Sequence, residues 1–229
     1  MIMDSKLENL YTQIEQDGIH ALWNHHEQLD DNLQNLESDS RRGLTLLVHL
    51  PAHVTRNINF ALNKLKLQEP FQYYYQSPTI HITIMDLRRA TADFHLTETE
   101  KDQYQQVIRE TVKHIKPINW HLAGLICSPV AVLVKGFYSP ELTQLRDELR
   151  TNLSQNGLIL DERYETFSGH ATVVRFQRQL KHPQSFLNEV MKMNNVAFGD
   201  FYTNNIDLVI HDWYNRHSQL LERFTLKTS

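Results

Sequence analysis

Apolar and polar side chains alternate over residues 79–85, Thr79-Ile80-His81-Ile82-Thr83-Ile84-Met85. In a strand successive side chains point to opposite faces, so Ile80, Ile82 and Ile84 line one face while His81 and Thr83 share the other. Residues 169–174 repeat the arrangement, with His170 and Thr172 on one face and Ala171 and Val173 opposite. The flanking patterns repeat as well. The apolar run 44–48 is followed by a turn at Pro51, a helix-spaced set (Ile58, Ala61, Leu62, Leu65) ending near Leu67, a polar loop, and the His81 strand. The apolar run 130–134 is followed by a turn at Pro140, a helix-spaced set (Leu142, Leu145, Leu149, Leu153), a loop, and the His170 strand. Strand, helix, loop and His-x-Thr strand occur twice at nearly equal spacing, which predicts a duplicated unit. A pseudo-twofold axis would set the two His/Thr faces across a cleft.

The remaining pattern predicts further elements. Residues 4–37 read as helix, with Leu7, Leu10, Tyr11 and Ile14 in one stripe and Ile19, Leu22, Trp23, His26, Leu29 and Leu33 in a second after Gly18. A boundary is expected between Ser38 and Gly43. Thr97-Glu98-Thr99-Glu100 has the spacing of a capping box and opens a helix running to about His114. Strands are expected at 119–127 and 129–136, then a helix at 184–193. Strands at 198–203, 206–213 and 219–226 follow, with Asn204-Asn205 and Asn215-Arg216-His217 as turns.

His-x-Thr occurs four times among the 13 histidines, and the other two copies have structural explanations. His53 and Thr55 follow Pro51 in a helical first turn, and Thr97 of the His95 copy caps a helix. His20, His25 and His26 lie close together, but no carboxylate or cysteine stands at a recognised ligand spacing from them, so they read as solvated helix histidines. His211, with no threonine two residues on, draws no catalytic role. Tyrosines ahead of the His81 strand, Tyr73 and Tyr75 among them, either suit a strand or stack on a base. Arg88 and Arg89 are solvated surface or a phosphate-facing patch.

Composition narrows the chemistry. The 229 residues suit one large domain or two intimate lobes. The single cysteine, Cys127, excludes an internal disulfide and a cysteine-based zinc cluster. With seven glycines and no glycine-rich phosphate loop, phosphate would have to be held by side chains. A net charge of −4 without a basic block argues against gripping an extended duplex and favours a nucleotide or a single RNA terminus. No run approaches membrane-spanning length, and a charged segment follows Met1-Ile2-Met3-Asp4, so the expected location is the cytoplasm.

His81-Ile82-Thr83-Ile84 and His170-Ala171-Thr172-Val173, each flanked by apolar residues, make the chain resemble the two-histidine (2H) phosphoesterases over roughly residues 43–226. That family includes RNA 2′,3′-cyclic phosphodiesterases, also called 2′-5′ RNA ligases, and cyclic phosphodiesterases. In many members the second motif continues to an arginine after two more residues, and Arg175 stands there. The resemblance implies an α+β fold: two pseudo-symmetric lobes with antiparallel sheets around a central groove and helices outside. Residues 43–229 would form this bilobal domain. Residues 1–42 would be a helical extension packed on a lobe or on a partner, with oligomerisation through it open.

The resemblance also implies a hydrolase acting on a cyclic nucleotide or an RNA 2′,3′-cyclic phosphate end, with no metal and no cofactor. His81 and His170 would be the acid–base pair in either order, with the Thr83 and Thr172 hydroxyls on phosphate oxygens. Arg175, Tyr73 and Tyr75 are candidate substrate contacts. Strict alternation puts Arg175 on the face opposite His170, so it reaches phosphate only if the strand twists, bulges or ends there. A nucleotide- or RNA-binding module without turnover, a 2′-5′ phosphodiesterase or ligase, and a passive scaffold assembled through the N-terminal helices are the alternatives.

Overall fold

The structure is a computed structural model that describes residues 5–162 and 165–227. It opens with helix α1 (Ser5–Trp23), a short 3₁₀ segment (Asp31–Ser38) and strand β1 (Arg42–His49). Then come α2 (Ala52–Gln68), β2 (Tyr73–Tyr74), β3 (His81–Thr91), α3 (Glu98–Val112), β4 (Ile118–Cys127) and β5 (Ala131–Tyr138). The chain continues through α4 (Glu141–Gln155), β6 (Ala171–Arg175), α5 (Pro183–Lys192), β7 (Ala197–Thr203), β8 (Asn205–His211) and β9 (Ser218–Thr225).

The strands form one antiparallel sheet in the order β7-β4-β5-β6-β3-β1-β8-β9, with β2 pairing to β6 off this path. The order has an internal symmetry. Outward from the centre, β3-β1-β8-β9 answers β6-β5-β4-β7, and each His-x-Thr strand lies innermost in its half. The α+β fold with two related halves therefore holds, and the two sheets run into one through a single bridge, Ile82 with Ala171. Asn204 alone connects β7, at one edge, to β8 near the other, so the sheet curls round on itself.

Amphipathic spacing decides where the helices lie. Val54, Thr55, Ile58, Ala61, Leu62 and Leu65 form the buried stripe of α2, and Leu142, Leu145, Leu149 and Leu153 that of α4. Both stripes feed one apolar core that also takes in Ile80, Ile82, Ile84, Ala171 and Val173. Helix α3 begins at the expected capping box: the Thr97 side chain accepts from the Glu100 amide, and the Glu100 carboxylate accepts from the Thr97 amide.

The N-terminal segment departs from the sequence reading. Its helix stops at Trp23 rather than continuing to 37, and His25 takes a positive φ of 56°. After an irregular stretch, only the 3₁₀ segment resumes helical structure, capped by Asp30. Gly18 does not interrupt α1. It faces the Cys127 carbonyl, where a β-carbon would overlap the backbone, so glycine is what lets α1 lie against β4. Leu7 and Tyr11 of the first stripe pack with Ile126, Ala131, Leu133 and Phe137 in a smaller core of their own. Among the described residues no helix is long and apolar enough to cross a membrane.

Candidate active site

The bridge between Ile82 and Ala171 sits in the middle of both motifs. In an antiparallel pair the residues flanking a bridge face each other diagonally in sequence. Immediately beside the bridge, His81 thus lies opposite Thr172 and Thr83 opposite His170. All four alternate away from the buried Ile82 and Ala171, and all four keep part of their surface exposed. Cross-strand neighbours of this kind have β-carbons about 5 Å apart, so two imidazoles and two hydroxyls converge on one patch of the groove.

Each imidazole is held through Nδ1. In His81, Nδ1 lies 2.8 Å from the Thr79 carbonyl oxygen. A carbonyl only accepts, so Nδ1 carries the hydrogen, and in the neutral ring Nε2 is bare. In His170, Nδ1 lies 2.9 Å from the Ser168 hydroxyl, which can donate or accept and so permits either tautomer. Burial drives both pKa values down to about 4. For His170 the Arg175 and Arg146 guanidinium groups and His81 add to the effect; for His81, His49 and Arg175 do. Both rings are therefore neutral at pH 7.

Immediately after each motif threonine the strand register slips by one residue. Leu47 pairs with Thr83 but Leu46 with Met85, leaving Ile84 unopposed. Leu133 pairs with Thr172 but Val132 with Val174, leaving Val173 unopposed. Consecutive residues are consequently buried, Ile84 with Met85 and Val173 with Val174. Each bulge reverses the alternation. Arg175, five residues after His170, thus returns to the His170 face, and so does its counterpart Asp86, five residues after His81. The two halves differ here in charge. Thr45 Oγ1 donates to Asp86 at 3.0 Å, while Arg175 Nε donates to the Tyr75 hydroxyl at 3.0 Å and its guanidinium lies 5.4 Å from the Trp213 ring centre.

One buried side chain braces both motifs. Arg146 of α4, 1% exposed, donates from Nε to the Ile84 carbonyl (2.8 Å) and from Nη2 to those of Thr83 (3.2 Å) and Ser168 (2.8 Å). It thereby serves the first bulge and the approach to His170 together. Burial lowers its pKa to about 10, and it remains a cation.

The tyrosines divide. Tyr75 is 3% exposed and holds Arg175, so its ring has no open face. Tyr73 is half-buried, edge-on to Tyr75 and tilted against Tyr214. Arg88 and Arg89 pair with Glu100 and Asp161. His211 is a residue the sequence reading passed over. It is 8% exposed, its ring meets that of His81 edge-on at 5.7 Å between centres, and its Nδ1 has no hydrogen-bond partner among the described residues. Only its place at the end of an apolar strand hinted at this. Asn215 was also missed: its Nδ2 donates at 3.3 Å to the Thr79 carbonyl that holds His81.

The family model described as the 2′-5′ RNA ligase superfamily matches residues 54–213. Comparison with curated protein sequences finds no match. Among solved structures the chain is similar to TT0787 of Thermus thermophilus, with 17% identity and a TM-score of 0.58 over 82% of this chain and 99% of that one. E. coli LigT complexed with 3′-AMP is similar at 14% identity and a TM-score of 0.58 over the same shares. A conserved protein of unknown function from Agrobacterium tumefaciens aligns over 97% of this chain and 99% of its own, at 15% identity and a TM-score of 0.54. At these identities the structural likeness speaks for the fold, while the family model covers more than half of the chain: the protein belongs to the 2′-5′ RNA ligase superfamily of two-histidine phosphoesterases.

Proposed function

We propose that the chain is a metal-independent phosphodiesterase that opens a 2′,3′-cyclic phosphate on a nucleotide or RNA end. The observation that carries this reading is the pairing across the Ile82–Ala171 bridge, which gathers two imidazoles and two hydroxyls on one face. Opening the five-membered ring needs a base to take a proton from the attacking water, an acid to protonate the departing ribose oxygen, and donors for the non-bridging oxygens. Neutral His81 has a bare Nε2 and takes the water proton. His170 acts in its imidazolium form: its Nδ1–H donates to the Ser168 hydroxyl, and its Nε2 proton goes to the leaving oxygen, which returns the ring to the neutral state. A bound phosphate anion supplies the negative charge that favours the imidazolium form and offsets the burial that disfavours it. Thr83 and Thr172 donate to the phosphate oxygens, and Arg175, returned to this face by its bulge, neutralises them. Tyr73, half-buried, is the aromatic surface beside it.

Ring opening by an alcohol instead of water uses the same groups. A 5′-hydroxyl in place of water, attacking a 2′,3′-cyclic end with loss of the 3′-oxygen, gives a 2′-5′ linkage, the reaction in the superfamily's name. The test is turnover of a panel of 2′,3′-cyclic mononucleotides and 2′-5′-linked dinucleotides in excess chelator, with H81A and H170A in parallel. Each substitution is expected to lower kcat about 10²- to 10⁴-fold, the range of a general acid or base. Binding without turnover by the wild type would leave a nucleotide-binding module, and an active H81A or H170A variant would reject the mechanism.

A further inference from the structure

The N-terminal helix lies outside the span matched by the family model, yet one of its side chains reaches the second motif. Tyr11 is 2% exposed, and its ring packs edge-on against Phe137 with centres 5.6 Å apart. Its hydroxyl donates to the Gly136 carbonyl at 2.8 Å and accepts from the Gly136 amide at 3.2 Å and the Gly169 amide at 3.1 Å. A hydroxyl has one hydrogen and two lone pairs, so this one is fully used. Gly169 is the residue before His170.

The β5–β6 ladder explains why a side chain is needed there. Its last pair is Val134 with Ala171. Beyond it Gly136 and Gly169 approach so closely that a β-carbon on Gly136 would overlap the Gly169 carbonyl, and one on Gly169 would press on the Tyr138 ring. The two backbones are in contact without a further ladder pair, and the Tyr11 hydroxyl takes up the amides of both. Around His170 the chain is then pinned on successive residues: the Ser168 carbonyl by Arg146, the Ser168 hydroxyl by Nδ1 of His170 itself, and the Gly169 amide by Tyr11. Burial pushes the Tyr11 phenol far above its ordinary pKa, so it keeps its hydrogen at every working pH.

From this geometry we infer that Tyr11 is a positioning residue for the two-histidine reaction, and that helix α1 is a working part of the active site rather than an appendage. The inference rests on the proposed acid–base role of His170. Tyr11→Phe removes only the hydroxyl and leaves the ring against Phe137. Leu7→Ala trims the same small apolar cluster and keeps the Tyr11 hydroxyl on Gly169, so it measures lost packing alone.

The experiment measures kcat and KM for 2′,3′-cyclic mononucleotides in the full chain for wild type, Y11F and L7A. It also follows the His81 and His170 ring protons by NMR through a pH titration. Y11F is expected to lose about tenfold or more in kcat with KM within about twofold, the pattern of a displaced reacting group. Its His170 titration should move while that of His81 stays, and L7A should keep wild-type kcat and both titrations. Y11F with wild-type kcat and an unmoved His170 overturns the inference, as does an L7A variant with the same kcat loss. Should Y11F not fold, 3-fluorotyrosine at position 11 keeps the shape and alters the hydroxyl acidity; it must move the His170 titration and not that of His81, or the inference fails. If the wild type itself has no turnover on these substrates, the proposed reaction is what fails, and the His170 titration alone decides whether Tyr11 positions it.

Discussion

Replacing Arg146 by Met tests how much of the two-motif geometry hangs on one buried cation. The side chain makes three hydrogen bonds to backbone carbonyls, two at the bulge after Thr83 and one at Ser168. Methionine keeps the apolar stem, reaching about as far as Nε, but leaves those carbonyls without their donor. An unpaired buried acceptor costs about 1–3 kcal/mol, so three of them cost about 3–9 kcal/mol. Against this stands the relief of no longer burying a charge: a guanidinium whose pKa is lowered to about 10 pays about 3 kcal/mol to stay charged in that position. The balance is a net loss of about 3 kcal/mol, with a spread of similar size. Urea unfolding at pH 7 followed by far-UV circular dichroism measures it as a lower midpoint at unchanged slope. Because the arginine spans both motifs, kcat on cyclic nucleotides should fall by more than the folded fraction explains. An R146M protein as stable and as active as wild type would refute the argument, since a well-packed apolar isostere would then be an adequate replacement.

Two further predictions follow from the site. His211, 8% exposed, has its pKa lowered to about 3, with burial the main cause and His81 adding to it. Between its unfolded value near 6.5 and about 3 the unfolded chain binds the proton and the folded chain does not, so this contribution to stability is present above pH 6.5 and is lost as pH falls. His211→Phe, which keeps a ring against His81, should flatten the acid limb of stability against pH by up to about 1.4 kcal/mol per pH unit; an unchanged acid limb in urea titrations from pH 7 to pH 4 would contradict it. Arg175→Lys loses the Nε bond to Tyr75 and the planar fork proposed above to hold phosphate. Its expected signature in steady-state kinetics is KM raised about tenfold with kcat less affected, and an unaltered KM would remove Arg175 from the phosphate site.

The parts of the fold that were legible in sequence are those written in local periodicity. Alternation declared which sides of the His81 and His170 strands were buried, and helix-spaced apolar residues placed α2 ahead of the first and α4 ahead of the second. What escaped depends on contacts that no local pattern carries. The bulges at Ile84 and Val173 are hidden because an apolar residue at the slip looks like any other core position, so strict alternation sent Arg175 to the wrong face. The end of α1 was missed because the apolar spacing continues past Trp23 while the backbone turns at His25. Tyr11 read as one more member of a stripe, since its ring is indeed buried and only the tertiary fold brings its hydroxyl to Gly169. His211 and Asn215 reach His81 from a hairpin far along the chain, a distance over which single-sequence pattern is silent.

The symmetric strand order has a consequence for the order of events during synthesis. The half that carries His170 uses β4, β5, β6 and β7, which follow one another without interruption along the chain. The half that carries His81 uses β1 and β3 from the early part of the chain but needs β8 and β9, which come after the whole of the other half. On a ribosome the later-encoded half can therefore close its sheet first, while β1 waits with one edge unpaired, exposed to wrong partners of the kind open edges attract. His211 and Asn215 arrive with those last strands. The surroundings of the first motif histidine are thus completed at the end, and a chain released too early would carry His170 in a finished half and His81 in an unfinished one.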